Sequence, residues 1–458
     1  MIIAGKIQAQ SIAGTWYGLL NIPSGQVHIV YHITQNADAY SATMDSPDQG
    51  AKGIPMDNVS FSGNKITIGS GKIGISYTGI FLPDSNKIKG TFNQGAFSAP
   101  LDLSSVMKKA VILNPRPQDP KDFPYKQEDV KFTNAKDGDV LAGTLTMPAD
   151  GRAKRLVILI TGSGPQNRNE ELAPFNHRPF LVWSDWLTRQ GIAVLRFDDR
   201  GIAESTGDFK AATTADFADD AEAAVNYVLS RPDLQKLDIG LLGHSEGGMI
   251  APIVASRDKN VKFIVLLAGP GVPISELMTQ QEADQMRLGG APDTAIAFST
   301  KTNRTLFAAM NQYYDLPADK MKIMMDSVMF KEFSAYPKQA LAGKTVDDLV
   351  KESSTQIASP WFRYFIHFKP ADYLINVKCP VLALDGTVDS QVKCEPNLQG
   401  IKQALDKGGN KHYEVVPMPG LNHLFQKATT GAVSEYGTIT ETVDPTALEK
   451  VSSWINGL

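Results

Sequence analysis

Residues 239–248 read IGLLGHSEGG, a short apolar run followed by the pattern G-x-S-x-G. The apolar run predicts a buried strand, and the residues after it, 249–256, predict a helix. Glycines permit a sharp and crowded turn between a strand and a helix, and such a turn holds the hydroxyl of Ser245 out above the edge of a sheet. The five-residue pattern often arises by chance, so its position between a strand and a helix carries the prediction that Ser245 is a nucleophile.

Strands and helices alternate on both sides of this motif. Continuous apolar runs, which are typical of strands buried on both faces of a parallel sheet, recur at 156–160, 192–197, 263–267 and 381–384. A helical period with acidic residues near its start lies between two of them, at 214–229. We therefore predict an α/β domain over 130–458, built on a doubly wound and mostly parallel sheet.

One segment, 272–378, breaks the alternation because it holds more than a hundred residues without a strand-like run. We predict that it is a helical cap inserted over the strand ends. Plain core packing is the favoured interpretation of its many methionines, and a pliable surface that faces a substrate is the alternative. These methionines are Met278, Met286, Met310, Met321, Met324, Met325 and Met329.

The N-terminal part of the chain has a different pattern. Residues 12–105 carry about eight short alternating runs separated by turn residues, which predicts a small antiparallel β-barrel or β-sandwich domain. Residues 106–129 hold four prolines within ten residues and predict an extended linker. Residues 1–10, MIIAGKIQAQ, lack the apolar segment of a signal peptide, but the Ala9-Gln10 step fits the trimmed end of an export signal. An exported and a cytoplasmic location therefore both stay open.

Composition narrows the function classes. The 458 residues carry 45 basic and 49 acidic side chains, for a net charge of −4. This balance, without a concentrated Lys/Arg run, argues against a nucleic-acid partner. No apolar stretch approaches the ~18 residues that predict a membrane span. Cys379 and Cys394 are interpreted as free thiols, and neither an H-E-x-x-H motif nor a Cys/His cluster indicates a metal or another cofactor. The oligomeric state stays open.

A serine nucleophile needs a base, and the base needs an acid that orients it. In this strand–turn–helix arrangement the chain order is serine, acid, histidine. His423 lies in a loop after the last apolar strand, where parallel strands present catalytic groups, so we favour it over His412, which opens that strand. Asp389 lies past a glycine turn in the loop after the preceding strand, and we favour it over Asp385 at the strand end, although an aspartate there can also simply cap a turn.

Acyl transfer also needs N–H donors aimed at the developing oxyanion. The backbone N–H of Glu246, directly after the nucleophile, is one candidate. The second is expected in the loop after the first parallel strand, where Ser163 is the first choice and Gly164 the alternative. Asn167 stands where a dinucleotide fingerprint would need glycine, so this loop is not predicted to bind a nucleotide. His244 is expected to point away from the serine and to serve in packing or support.

Two further segments have a structural and a functional interpretation. The turn DDRGIAES at 198–205 is expected to be structural, with an arginine–carboxylate pair. The aromatic segment SPWFRYF at 359–365 either joins the cap to the core or walls an acyl pocket. In the second case Trp361 and Phe362 are the predicted substrate-binding residues.

Five motifs spread over the C-terminal two-thirds of the chain carry a family resemblance. They are GSGPQNRNE at 162–170, DDRGIAEST at 198–206, GHSEGG at 243–248, PVLALDGTVD at 380–389 and GLNHLFQ at 420–426. As a set they resemble the α/β-hydrolase superfamily, in the branch of bacterial serine esterases and serine-aminopeptidase-like hydrolases. The resemblance implies Ser245, Asp389 and His423 as the catalytic triad. Ala203 stands where the family's turn usually has its second glycine, and residues 12–105 are similar to the small β-domain that precedes this hydrolase in some bacterial esterases.

The main prediction is a serine carboxylesterase that acts on small or medium acyl esters through an acyl-enzyme, without a cofactor. The first alternative is a serine peptidase or aminopeptidase of the same superfamily, although the first 105 residues are too short and unrepetitive for the propeller that some such peptidases carry. The second alternative is a ligand-binding protein in which the β-domain is the working part and the hydrolase core is degenerate.

Overall fold

The structure is a computed structural model that describes residues 11–22, 25–37, 39–49, 51–94, 97–108, 116–336 and 344–458. The predicted export remnant at 1–10 and part of the predicted linker, 109–115, lie outside the described residues. The chain forms two compact units. The first comprises the described part of Met1–Arg116 together with Leu172–His177 and Tyr436–Thr440, and the second comprises Pro117–Glu171, Arg178–Glu435 and Glu441–Leu458.

The first unit is an antiparallel β-domain, as the alternating runs predict. Within the described residues it has ten strands rather than about eight, because very short strands leave little periodicity to detect. Nine follow the order β4-β3-β2-β1-β10-β8-β7-β6-β5, and β9 pairs with β8. The edge strands β4 and β5 are separated by Asp57 alone, so the sheet curls back on itself like a barrel. The strands are β1 (Gly14–Ile22), β2 (Gly25–Asn36), β3 (Ala39–Ser46), β4 (Ala51–Met56), β5 (Asn58–Ser62), β6 (Lys65–Ser70), β7 (Ile75–Leu82), β8 (Lys87–Gln94), β9 (Phe97–Pro100) and β10 (Leu103–Ser104).

The second unit is built on one sheet of eight described strands in the order β11-β12-β14-β13-β15-β16-β17-β18. Strand β12 pairs antiparallel with both β11 and β14, and the other six strands pair parallel to one another, which confirms the predicted mostly parallel sheet. The strands are β11 (Lys126–Thr133), β12 (Val140–Met147), β13 (Arg155–Ile160), β14 (Ala193–Phe197), β15 (Asp238–His244), β16 (Val261–Leu267), β17 (Val381–Gly386) and β18 (Tyr413–Met418).

Helices cover this sheet and fill the segment between β16 and β17. Helix α1 packs with α11, and α2 packs with α3 against the central strands. Six helices, α4 to α9, lie in the predicted cap segment, which we call the helical insertion; its residues 337–343 lie outside the described residues. The helices are α1 (Pro179–Arg189), α2 (Thr214–Ser230), α3 (Gly247–Arg257), α4 (Ile274–Leu288), α5 (Asp293–Gln312), α6 (Ala318–Ser334), α7 (Val346–Ile357), α8 (Pro360–His367), α9 (Ala371–Leu374), α10 (Cys394–Lys407) and α11 (Pro445–Gly457).

Residues 117–125, which the proline pattern assigns to a linker, belong to the second unit. The Gln118 side chain donates to the carbonyl of Val443 at 2.6 Å and accepts from the Val443 amide at 3.0 Å. The Tyr125 hydroxyl donates to Asp185 on α1 at 2.8 Å. Side-chain contacts between residues so distant in sequence leave no local periodicity, so the extended proline-rich pattern alone could not indicate them.

Candidate active site

The nucleophile turn joins the end of β15 to the start of α3. Ser245 occupies this turn with φ +52°, a left-handed conformation that is unusual for a residue with a side chain, and its amide donates to the carbonyl of Leu267 at 2.9 Å. A Cβ atom added at Gly247 would lie 2.2 Å from the carbonyl oxygen of Ile160, so only glycine permits this approach. Helix α3 therefore begins at Gly247, two residues before the predicted start at Met249.

The loop after β18 brings His423 to the loop after β17, which carries Asp389. The Nδ1 atom of His423 donates to Oδ2 of Asp389 at 2.7 Å, and both side chains are buried. The other carboxylate oxygen, Oδ1, accepts from the amides of Gln391 at 2.7 Å and Val392 at 2.9 Å. With Nδ1 protonated, Nε2 of a neutral His423 is left as the proton acceptor.

Local features of the two loops explain their approach. A Cβ atom added at Gly386 would lie 2.1 Å from the carbonyl oxygen of Leu421, so the glycine that follows Asp385 lets the histidine loop pack against the acid loop. The buried Asn422 side chain accepts from the amides of Leu424 at 3.0 Å and Gln426 at 2.9 Å, and it thereby fixes the turn that presents His423. The Asn-His sequence therefore combines a turn former with the titratable side chain.

The two alternatives left open by the sequence differ from His423 and Asp389 in position or in surroundings. His412 is exposed and precedes β18, at the opposite edge of the sheet from Ser245. Asp385 is fully buried at the end of β17, and burial together with the negative charge of Asp389 raises its pKa well above the ordinary value. Its surroundings therefore disfavour the charge that would stabilise an imidazolium.

The loop after β13 carries the other oxyanion candidate and lies against the nucleophile turn. A Cβ atom added at Gly162 would be 3.2 Å from the Cβ of Ser245, so Ser163, the next residue, also lies near the nucleophile. Asp199 braces this loop from the end of β14, because it accepts from the Thr161 hydroxyl at 2.8 Å and from the Gln166 amide at 2.9 Å. Burial raises the pKa of Asp199 well above its ordinary value.

The turn at 198–205 is held by arginine–carboxylate pairs. Arg200 contacts Asp220 through two hydrogen bonds of 2.7 and 2.8 Å, and Arg168 binds Asp198 at 2.6 Å. Ala203 adopts φ +49°, so the turn keeps a left-handed residue where the resembling family usually has glycine. These contacts give the turn a structural role.

The side chain of Glu246 forms a contact that the sequence analysis did not predict. Its Oε1 atom accepts from the Thr214 hydroxyl on α2 at 2.6 Å and from the Trp361 indole on α8 at 2.9 Å. Burial raises the pKa of this carboxyl to about 7, in spite of these two hydrogen bonds. The residue whose amide is a candidate oxyanion donor is thus tied to the helical insertion.

The aromatic residues predicted to bind substrate lie on α8. Trp361 stacks on Phe365 with 4.6 Å between ring centroids, in addition to its hydrogen bond to Glu246. Phe362 is buried and its ring centroid is 6.3 Å from that of Phe307 on α5. Trp361 thus contacts the nucleophile turn, whereas Phe362 packs within the insertion. The role of both residues in substrate binding stays a prediction.

The methionine-rich part of the insertion both packs and lines a cavity. Met321, Met325 and Met329 lie on the buried face of α6 and line a cavity of about 250 Å³. Pro360 and Thr213 also line it, and each directly precedes a residue that hydrogen-bonds Glu246. The buried position of these methionines agrees with core packing, and a surface that faces a substrate stays a prediction.

His244 lies between the nucleophile and the histidine loop. Its ring centroid is 4.8 Å from that of His423, and its two nitrogens contact Glu170 at 2.8 Å and the His423 carbonyl at 2.9 Å. Among the described residues, no group of three or more His, Cys, Asp or Glu side chains is arranged to hold a metal ion. No helix of the described part of the chain has the length and hydropathy needed to cross a membrane.

The sheet order, the strand–turn–helix motif and the loops beyond β17 and β18 define an α/β-hydrolase. The chain belongs to the serine aminopeptidase S33 family, whose sequence profile matches residues 181–426, more than half of its length. This agrees with the resemblance found in the sequence.

Known relatives cover only parts of the chain. Esterase EstD of Thermotoga maritima is 31% identical over 141 residues, which are 31% of this chain and 33% of that protein. The uncharacterized protein YfhR of Escherichia coli is 29% identical over 145 residues, which are 31% of this chain and 47% of that protein. The chain thus spans about a third to a half of the length of these relatives. A solved esterase of Pyrococcus furiosus is 17% identical, with a TM-score of 0.44 over 74% of this chain and 92% of that one.

Proposed function

We propose that the protein is a carboxylesterase that uses Ser245 as nucleophile, His423 as general base and Asp389 as the acid that orients it. The observation that carries this proposal is the 2.7 Å hydrogen bond from His423 to Asp389, beside a serine held at φ +52° at the same edge of the sheet. A buried carboxylate that holds Nδ1–H leaves Nε2 to take a proton, which is what a serine nucleophile needs.

The reaction follows from these groups. The Ser245 oxygen forms a bond to the ester carbonyl carbon while its proton moves to Nε2 of His423, and the amides of Glu246 and Ser163 donate to the oxyanion. The carbon–oxygen bond to the alcohol then breaks, and the alcohol leaves with the proton from His423. Water attacks the acyl-enzyme by the same route, so the acid is released and the Ser245 hydroxyl is restored.

We favour esters over peptides with a free amine because the two carboxyls near Ser245, those of Glu246 and Glu170, already have hydrogen-bond partners within the protein. An aminopeptidase needs a negative charge to meet the substrate's ammonium group. Glu246 accepts from Thr214 and Trp361, and its raised pKa makes it largely neutral below about pH 7. Glu170 is bonded to His244, so neither carboxyl is well suited to meet an ammonium ion. The family name keeps an aminopeptidase as the second candidate.

We further propose that the acyl chain is short to medium in length. The apolar cavity beside Met325 has a volume of about 250 Å³, below the usual range of pockets for drug-sized ligands. Helix α8 lines this cavity through Pro360, Arg363 and Tyr364, and we expect Trp361 and Phe362 of the same helix to flank the path of such a chain.

The test compares p-nitrophenyl esters of two to eight carbons with aminoacyl p-nitroanilides, using purified full-length chain and Ser245→Ala as the control. We expect turnover of the short esters, a far lower rate on anilides and loss of both in the variant. Faster hydrolysis of the anilides would favour the aminopeptidase. If neither substrate class were turned over, the ligand-binding interpretation would gain support instead.

A further inference from the structure

A buried pair, Glu170 and His244, connects three parts of the candidate active site. Oε1 of Glu170 accepts from the Gly162 amide at 2.8 Å and lies 2.8 Å from Nδ1 of His244. The other ring nitrogen of His244, Nε2, lies 2.9 Å from the carbonyl oxygen of His423. Glu170 and His244 are 3% and 7% exposed, so solvent does not screen these contacts.

Both nitrogens of His244 face oxygen acceptors. A neutral imidazole has only one N–H, so it would leave one of these close contacts without a proton. Burial alone lowers the pKa of His244, but the charge of Glu170 and the hydrogen bonds to Glu170 and to the His423 carbonyl raise it above the ordinary value. Both ring nitrogens of His244 are thus placed to donate to oxygen atoms, and the negative charge of Glu170 favours the protonated ring.

Glu170 is itself held in an unusual conformation. Its φ is +51°, which a residue with a side chain adopts only where its surroundings impose it. Its amide donates to the carbonyl of Asn167 at 2.8 Å, within the loop that carries Ser163. The conformation of Glu170 thus holds its carboxyl between the Gly162 amide and the ring of His244.

We propose that Glu170 and His244 form a positioning unit that fixes the oxyanion loop and the loop of the general base relative to Ser245. His244 holds the backbone of His423 on one side and is joined to Ser245 by a peptide bond on the other. Glu170 holds Gly162, the neighbour of the proposed donor Ser163. Neither residue touches the reacting atoms, so both act through others. This inference rests on the proposed role of Ser245 but not on the identity of its substrate.

The experiment uses Glu170→Gln, His244→Gln and the double variant in the full chain. A glutamine at 170 keeps an oxygen that can accept from both Gly162 and Nδ1 of His244. It has no negative charge to favour a proton on both ring nitrogens, so the contact from Nε2 to the His423 carbonyl is weakened. Since displacements of about 1 Å at a reacting centre can cost ~10²-fold in rate, we expect each single variant to lower kcat by 10- to 100-fold with KM within threefold. The double variant should lose no more than the worse single variant, because the two residues act as one unit.

A second readout separates this inference from the choice of substrate. A fluorophosphonate phosphonylates an activated serine and releases fluoride whatever acyl group the enzyme prefers, so its labelling rate should fall by a similar factor. Arg231→Lys is the control, since it disturbs an ion pair with Glu128 that lies just after α2, away from the carboxyl edge of the sheet. It should lower the melting temperature but leave kcat within twofold of wild type.

Single variants that fold and keep kcat and labelling within twofold would overturn the proposal, as would a double variant whose loss equals the product of the single losses. An equal loss in Arg231→Lys, or wild type that is not labelled, would also overturn it. If Glu170→Gln does not fold, Glu170→Asp replaces it in the test, because the shorter side chain cannot reach both Gly162 and His244. This variant should likewise lower kcat by 10- to 100-fold with KM within threefold. Wild type that is labelled but hydrolyses no ester would contradict the carboxylesterase alone.

Discussion

The buried carboxyl of Glu246 makes the stability of the second unit depend on pH. Its pKa rises from the ordinary value of 4.5 to about 7, because burial penalises the charged form more than the hydrogen bonds from Thr214 and Trp361 favour it. The unfolded chain releases this proton near pH 4.5, whereas the folded chain holds it up to about pH 7. The stabilisation of the folded state by the protonated Glu246 is therefore fully present below pH 4.5 and is lost as the pH rises through 7.

The size of this effect follows from the two pKa values. Since a tenfold change in proton affinity is worth ~1.4 kcal/mol, the rise from 4.5 to about 7 corresponds to about 3 kcal/mol in the free energy of unfolding. Glu246→Gln keeps the acceptor oxygen for Thr214 and Trp361 but cannot ionise. The free energy of unfolding of the variant, relative to that of wild type, should therefore rise by about 3 kcal/mol between pH 4.5 and pH 8.

Urea unfolding at pH 5, 6, 7 and 8 measures this difference. Four of the five tryptophans, Trp183, Trp186, Trp361 and Trp454, lie in the second unit, so their fluorescence follows its unfolding. Glu449→Gln, at an exposed position on α11, is the control and should follow the wild-type curve at every pH. A difference between Glu246→Gln and wild type that stays constant across this range would refute the reasoning.

Three further predictions concern the catalytic groups and the two units. Ser245→Ala should lower kcat by ~10⁶-fold and His423→Ala by a similar factor, with unchanged circular dichroism; ester turnover within tenfold of wild type in either variant would contradict their roles. Trp361→Phe keeps an aromatic ring but loses the hydrogen bond to Glu246, so it should lower kcat equally on acetyl and octanoyl esters. If the ring walls the acyl pocket, Trp361→Ala should also change the preference between these esters. Unchanged kinetics in both variants would contradict a role for Trp361 in the site. A fragment of residues 116–458 should keep kcat/KM on acetyl esters within tenfold, and a folded but inactive fragment would mean that the β-domain shapes the site.

The fold and the positions of the main candidate residues could be predicted from local patterns. A buried strand, a glycine-rich turn and a helix occur within twenty residues around Ser245, so short-range preferences and crowding determine them. The parallel sheet and its helices follow from the same local periods, and the structure confirms them. Asp389 and His423 could be located because loops at the carboxyl ends of parallel strands share one edge of the sheet.

The supporting contacts could not be predicted, because they join residues far apart in sequence. Glu170 and His244 are separated by 74 positions, and Glu246 and Trp361 by 115. Each of these residues has an ordinary local explanation: a glutamate in a polar loop, a histidine beside a serine, a tryptophan in an aromatic cluster. Only Glu246 gave a signal of such contacts in the sequence. An ionisable residue between the nucleophile and two glycines needs hydrogen-bond partners when other parts of the protein bury the turn.

These contacts form a continuous path along the carboxyl edge of the sheet. Asp199 after β14 binds Thr161 after β13, and Glu170 from that same loop binds His244 at the end of β15. His244 in turn donates to the carbonyl of His423 after β18, whose ring donates to Asp389 after β17. Every loop that carries a proposed catalytic or oxyanion group is thus tied to a neighbour through a carboxylate or an imidazole. Because these groups are buried, salt screens them little, so we expect the relative positions of the proposed catalytic groups to be set before substrate binds and to change little with ionic strength.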